Sequence, residues 1–252
     1  MNYWVGNRSM DAIRSLAFSV VFYGWSTFLS PLYVPLLILP RRMFWFMAWA
    51  WVKSCIVIAK VVAGIDYEVR GQENLPEGAF IVASKHQSAW DTLIYNKLFE
   101  DCAYVLKREL FWFPCFGWFL WKVGMIGIDR SGGASALKRM VQEARHWLAA
   151  GRVIVIFPQG TRTIPGDERP YLPGVAALYM QCGVPVVPVA LNSGQFWPRR
   201  RVAKRSGTIV VEYLPPILPG LSRREFMATL EDRIETANRR LERAGAAQLA
   251  GR

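Results

Sequence analysis

The sequence predicts an α/β fold: a mostly parallel mixed sheet flanked by helices, preceded by an N-terminal membrane-associated helical hairpin. Three observations carry this expectation. From residue 66 onward, short continuous apolar runs alternate with segments of helical periodicity, as expected for strands buried on both faces by crossover helices. The first 65 residues read instead as a membrane attachment: Leu16 to Leu29 is mainly apolar, then come Pro31, Pro35 and Pro40 within a still apolar segment, followed by Arg41-Arg42. Hydrophobic residues make up 52% of the 252, too many for a disordered chain. The chain is therefore divided into a membrane-associated segment, 1–65, and a globular domain, 66–252.

In the first segment, residues 16–39 reach the length of about 20 apolar residues needed to span a bilayer, but their prolines should bend or break a helix. The next run, Met43 to Val52, is short and stops at Lys53. Lys53 and Lys60 are seven apart, on one helical face, which reads as an amphipathic helix lying in the interface. If both segments spanned, Arg41-Arg42 would lie away from the cytoplasm, against the positive-inside tendency. A helical hairpin or wedge dipping into one leaflet fits better, with a pair of buried core helices as the alternative.

In the globular part, Asp66 to Arg70 reads as a short strand and Gly71 to Gly78 as a turn-rich connection. Ala79 to Ser84 is a continuous apolar strand, Ser88 to Phe99 a helix and Ala103 to Lys107 a second buried strand. Ala134 to Ala150 is an amphipathic helix stopped at Gly151. Val153 to Phe157 is a strand, Gly174 to Gln181 a short helix stopped by Gly183, and Val184 to Leu191 another strand. Thr208 to Leu214 closes the strand series, Ser222 to Arg243 is a charged final helix, and residues 244–252 are expected to fray.

A net charge of +12 points to a polyanionic partner, nucleic acid or an anionic lipid surface. Eleven Trp and 14 Phe favour the lipid interface, and no nucleic-acid partner is expected. Cys55, Cys102, Cys115 and Cys182 form no C-x-x-C pair, so they read as small core residues in a reducing compartment, with no metal site expected. The chain contains no G-x-S-x-G elbow, no G-x-x-x-x-G-K-[ST] loop and no G-x-G-x-x-G, which disfavours serine hydrolases, nucleotide phosphotransferases and dinucleotide enzymes.

The chemistry concentrates at Lys85-His86-Gln87-Ser88-Ala89-Trp90-Asp91-Thr92, directly after an apolar strand. His86 and Asp91, five positions apart, do not share a helical face. They meet only if His86 is on the strand-exit loop and Asp91 in the first helical turn. Ser88 then reads as an N-cap, with Asp91 three later as in a capping box. An imidazole steered by a carboxylate takes a proton from a hydroxyl near neutral pH. No Ser or Cys nucleophile adjoins it, so the hydroxyl is expected to be the substrate's own.

His86-x4-Asp91 resembles the first motif of the glycerolipid acyltransferases, the 1-acylglycerol-3-phosphate acyltransferase family. Three further blocks follow in that family's order: Gly127-Ile128-Asp129-Arg130, then Phe157-Pro158-Gln159-Gly160-Thr161-Arg162, then Val184-Pro185-Val186-Val187-Pro188-Val189-Ala190-Leu191. The resemblance covers roughly Val69 to Pro219. It implies transfer of a fatty acyl group from an acyl thioester, coenzyme A or acyl carrier protein, to the free hydroxyl of lysophosphatidic acid, with no cofactor beyond that co-substrate. His86 would be the base and Asp91 its orienting partner. Arg130, Gln159, Gly160, Thr161 and Arg162 would bind the acceptor, and Lys107 a phosphate or the thioester oxygen. The family usually has Glu where this chain has Gln159, which can hydrogen-bond but cannot carry charge. Another lysolipid acceptor, such as a lyso-ornithine lipid, stays open, as does a non-catalytic basic membrane-binding or nucleic-acid-binding module.

Two stretches stand beside these motifs. The aromatic run Phe111 to Trp121 reads as the lining of an acyl groove, a surface resting on the bilayer, or core. Arg199-Arg200-Arg201 with Lys204 and Arg205 reads as a contact for anionic lipid or donor phosphates, or as a solvated turn.

Overall fold

The structure is a computed structural model and describes residues 3–251. Helix α1 (Tyr3–Tyr33) and helix α2 (Arg41–Ala63) form the N-terminal hairpin, joined by a 3-10 turn at Pro35–Ile38. Helix α1 runs through Pro31 and ends two residues later, so that proline terminates the helix and does not break it. Helix α2 stops at Gly64, whose φ of 68° is a left-handed conformation that glycine adopts without strain. Lys53 and Lys60 both lie on its outer face, while Val52, Cys55, Ile56 and Ala59 point inward.

The sheet comprises β1 (Ile65–Arg70), β2 (Ile81–Ser84), β3 (Ala103–Lys107), β4 (Ile126–Ile128), β5 (Ile154–Ile156), β6 (Val186–Leu191) and β7 (Gly207–Tyr213), in the order β1-β7-β6-β2-β5-β3-β4. All neighbours are parallel except β6 with β7. The mixed, mostly parallel sheet is thus as the alternating runs predict. The other helices are α3 (Asp91–Leu98), α4 (Phe116–Lys122), α5 (Gly133–Ala149), α6 (Pro173–Cys182), the single turn α7 (Ser193–Phe196) and α8 (Arg223–Ala250).

Alternate strand residues face opposite sides of the sheet, and each side has its own core. Val82, Val155, Val187, Ile209 and Val211 pack under α1, α2 and α3 with Phe18, Val52, Ile56, Trp90 and Ile94. Ile81, Ala83, Ile126, Ile154 and Ile156 pack on α5, α6 and α8 with Met140, Leu148, Leu178, Phe226 and Ile234. Helix α2 therefore belongs to the core of one sheet face while its outer surface stays apolar and exposed.

Three expectations are corrected. The helix after β2 begins at Asp91, with Trp90 as its N-cap and no side-chain cap. The capping box read at Ser88 is half made: Asp91 Oδ2 accepts the Ser88 N–H at 2.8 Å while also holding His86, but Ser88 Oγ accepts from Trp90 N (3.1 Å) in place of Asp91 N. Residues 244–250 do not fray: α8 continues because Gly245 packs so closely on Gln195 that a Cβ would lie 2.0 Å from its Oε1. The block around Gly127 also contains a strand, β4, that its short Ile-Gly-Ile run does not mark. The start of α8 does carry a capping box, between Ser222 and Glu225.

Candidate active site

The parallel strands β2, β3, β4 and β5 all end on one edge of the sheet, so the loops that follow them converge there. The loop after β2 supplies His86, the end of β3 Lys107, the loop after β4 Arg130, and the turn after β5 Phe157 to Arg162. Strand β6 runs parallel to β2 and ends at the same edge, delivering Ser193.

His86 and Asp91 do meet. The Nδ1–H of His86 donates to Asp91 Oδ2 at 2.9 Å. The same oxygen accepts the backbone N–H groups of Gln87 (2.7 Å) and Ser88 (2.8 Å), and Ser193 Oγ donates to Oδ1 at 2.5 Å. Asp91 is fully buried, and these four donors fix the position of its carboxylate. With Nδ1 committed, Nε2 is left as the acceptor. The His86 ring stacks on Phe157 at 4.0 Å between centroids, planes 17° apart. Its carbonyl accepts from Thr163 N (2.8 Å) and Thr163 Oγ1 (3.1 Å), tying it to the chain just past Arg162. Burial pushes the His86 pKa below the ordinary imidazole value. Asp91 opposes that shift, while Arg162 and Arg199 add to it.

His86 lines a cavity of about 760 Å³ between the edge of the sheet and the hairpin. Lys107, Arg130, Gly160, Thr161 and Arg162 line the same cavity, as do Arg199 and Arg200. The Arg130 guanidinium donates to the Gly160 carbonyl, and Arg199 Nη1 donates to the Arg162 carbonyl at 2.6 Å. Gly160 has φ 65°, and a Cβ there would lie 2.5 Å from Leu172 Cδ1, so only glycine makes this turn without strain. Lys107 is paired with Glu109 at 3.0 Å. The remaining wall is apolar and aromatic. Tyr23, Leu29 and Tyr33 of α1, Trp45 and Trp49 of α2, and Leu110, Phe116 and Phe119 line it. One end of the space is therefore cationic and the other suited to hydrocarbon.

Gln159 is the exception among the sequence-predicted residues. It is buried and absent from the cavity wall. Its Nε2 donates to Glu235 Oε1 at 3.3 Å, on the opposite side of the turn. Gly160 reverses the backbone there, so successive side chains leave the turn in opposite directions. The aromatic run divides: Phe116 and Phe119 face the cavity, while Trp112, Phe113 and Trp121 are exposed. In the basic run, Arg199 and Arg200 face the cavity, whereas Lys204 is buried against Phe18 and Trp197. Two partners of the site were not legible in the sequence, Phe157 as the stacking surface and Ser193 as the donor to Asp91. The one available signal for Ser193 was its position just past the carboxyl end of an apolar strand.

The Acyltransferase family profile matches residues 66–192. The 1-acyl-sn-glycerol-3-phosphate acyltransferase of Pseudomonas aeruginosa is 40% identical over 211 residues, 81% of this chain and 80% of its own. The human 1-acyl-sn-glycerol-3-phosphate acyltransferase alpha is 33% identical over 204 residues, 79% of this chain and 71% of its own. The crystal structure of the 1-acyl-sn-glycerophosphate acyltransferase of Thermotoga maritima has the same fold. Its TM-score is 0.73 at 21% identity, over 96% of this chain and 98% of that one.

Proposed function

The chain belongs to the acyltransferase family, and from that premise we propose that it moves a fatty acyl group from an acyl thioester to the sn-2 hydroxyl of 1-acyl-glycerol 3-phosphate, giving phosphatidic acid. One observation carries the reading: a buried, carboxylate-oriented imidazole and four arginines line a single cavity whose other wall is apolar.

In the proposed reaction, His86 Nε2 takes the proton of the acceptor hydroxyl as its oxygen attacks the thioester carbonyl. The new C–O ester bond forms, the C–S bond breaks, and the thiolate leaves with the proton held on His86. Burial keeps the imidazole neutral at pH 7, the form a base requires. Asp91 holds the tautomer and stabilises the imidazolium. Arg130 and Arg162, with Arg199 and Arg200, bind the acceptor phosphate, for which the planar guanidinium is suited. Lys107 or backbone amides stabilise the thioester oxyanion. Gln159 supports another acceptor less than its sequence position implied, since it points away from the cavity.

The proposed setting is the cytoplasmic face of the inner membrane, with acyl-coenzyme A or acyl carrier protein as donor. Residues 10–33 and 41–63 are long and apolar enough to cross a bilayer. Little of either helix is buried, which leaves Ile13, Leu16, Val20, Phe28, Phe46 and Val61 exposed. An apolar surface of that kind supports lipid contact.

A comparison of acceptors tests the substrate assignment. Losing the phosphate contacts should lower kcat/KM for monoacylglycerol, relative to lysophosphatidic acid, by about 10²-fold or more. Equal values for the two would contradict a phosphate-binding role for the arginines.

A further inference from the structure

Behind the site, away from the cavity, α8 presents a buried and a half-buried acidic side chain, Glu235 and Glu242, to the segments on either side of His86. Glu235 and Glu242 stand seven residues apart, two turns along one face of the helix. Glu235 receives Lys85 Nζ on both oxygens, at 2.8 and 2.6 Å, and Tyr171 Oη at 2.8 Å. It also receives Gln159 Nε2 at 3.3 Å. Lys85 donates further to the Asp167 carbonyl at 3.1 Å. Glu242 receives Gln87 Nε2 (2.6 Å), Asn238 Nδ2 (2.6 Å) and the backbone N–H of Gly166 (2.9 Å). Gln87 Oε1 in turn accepts from Gly194 N, next to the serine that holds Asp91.

Each carboxylate therefore bridges the loop that carries His86 and the chain leaving the Gly160–Arg162 turn. We propose that Glu235 and Glu242 are positioning residues, which lock His86 and the guanidinium turn in one mutual arrangement from outside the cavity. The inference rests on the acyl-transfer reading for its kinetic consequences. No motif points to these residues, because Glu235 and Glu242 lie far along the chain from the Gly160–Arg162 turn they brace. The donor set also accounts for the amide nitrogen of Gln159, whose Oε1 has no hydrogen-bond partner among the described residues. A carboxylate there would oppose Glu235, whereas the amide donates to it.

A stabilising role alone must be separated from positioning. Removing one member of the Lys85–Glu235 pair leaves a buried charge and risks unfolding. The double variant Lys85→Met/Glu235→Gln removes both charges and keeps the volume. The test compares the full chain with this variant and with Glu242→Ala, using lysophosphatidic acid and an acyl-coenzyme A in mixed micelles. Circular dichroism checks folding. The ring signals of His86 are followed by NMR against pH, with His146 as the other histidine in the chain.

The inference expects both folded variants to lose about 10- to 100-fold in kcat, with KM for the thioester little changed. It also expects the His86 titration to move upward as water reaches the ring. A folded variant with wild-type kcat and an unmoved His86 titration would overturn it. If the unmodified chain shows no turnover, the acyl-transfer reading fails, and the His86 titrations alone then decide the inference.

Discussion

The His86 imidazole lies flat on the Phe157 ring, 4.0 Å between centroids, so the loop after β2 and the turn after β5 are joined in one stack. The ring is held on its face by Phe157, at Nδ1 by Asp91 and at its backbone carbonyl by Thr163. Only Nε2 remains for chemistry, and a base with one free direction is one whose orientation the fold has already set.

Phe157→Leu keeps an apolar contact but removes the aromatic face. It should cost about 1 kcal/mol of stability. It should lower kcat about 10-fold through the loosened imidazole. Denaturant unfolding and steady-state kinetics check the two effects separately.

Asp91→Asn substitutes an amide where one oxygen now accepts three hydrogen bonds and the other a fourth. The amide nitrogen must then face a donor, which frees the imidazole to take the wrong tautomer. A loss in kcat of about 10²- to 10⁴-fold is expected. Ser193→Ala, which removes one donor to Asp91, should give a much smaller loss in the same assay.

The pH profile follows from the lowered pKa of His86. Burial is the first cause, and the neighbouring Arg162 and Arg199 act in the same direction. The base works when neutral, so kcat/KM should rise with pH through a midpoint below the ordinary imidazole value and be level at neutral pH. Arg199→Met removes a nearby positive charge, so protonation becomes easier and the acidic limb should move to higher pH. A limb that stays in place, or moves lower, would show that Arg199 does not act on His86.

Arg162→Lys retains charge but not the planar fork. It should raise KM for lysophosphatidic acid by about 10-fold, with a smaller change in kcat. Arg162→Ala should raise it further, and saturating titrations of the acceptor check both.

The hairpin has a consequence that does not depend on turnover. Leu16 and Val20 are exposed on α1, so Leu16→Glu/Val20→Glu should reduce sedimentation with anionic vesicles while leaving the circular dichroism spectrum intact.

The sheet was largely legible because parallel strands buried on both faces are written as continuous apolar runs. Ile81-Val82-Ala83 and Ile154-Val155-Ile156 are examples. Strand β4 escaped because it is three residues long, contains a glycine and pairs only with β3 at the sheet edge. The spacing of His86 and Asp91 disclosed the hydrogen-bonded pair, since both come from one short segment. Ser193, Glu235 and Glu242 did not stand out as parts of the site because topology, not spacing, delivers them to it. Gln159 was misplaced for a local reason. In a turn made by a left-handed glycine, the side chain before Gly160 leaves on the face opposite to the arginine after it.

The central claim is that His86 activates the acceptor hydroxyl for direct attack on the thioester. The most direct measurement incubates the purified chain and His86→Ala with lysophosphatidic acid and an acyl-coenzyme A. Thiol release and the diacyl product are followed together by mass spectrometry. The account predicts stoichiometric thiol and phosphatidic acid from the unmodified chain, and a rate lower by at least about 10²-fold from His86→Ala. Undiminished phosphatidic acid from the folded His86→Ala variant would contradict it, as would thiol release without a diacyl product from the unmodified chain.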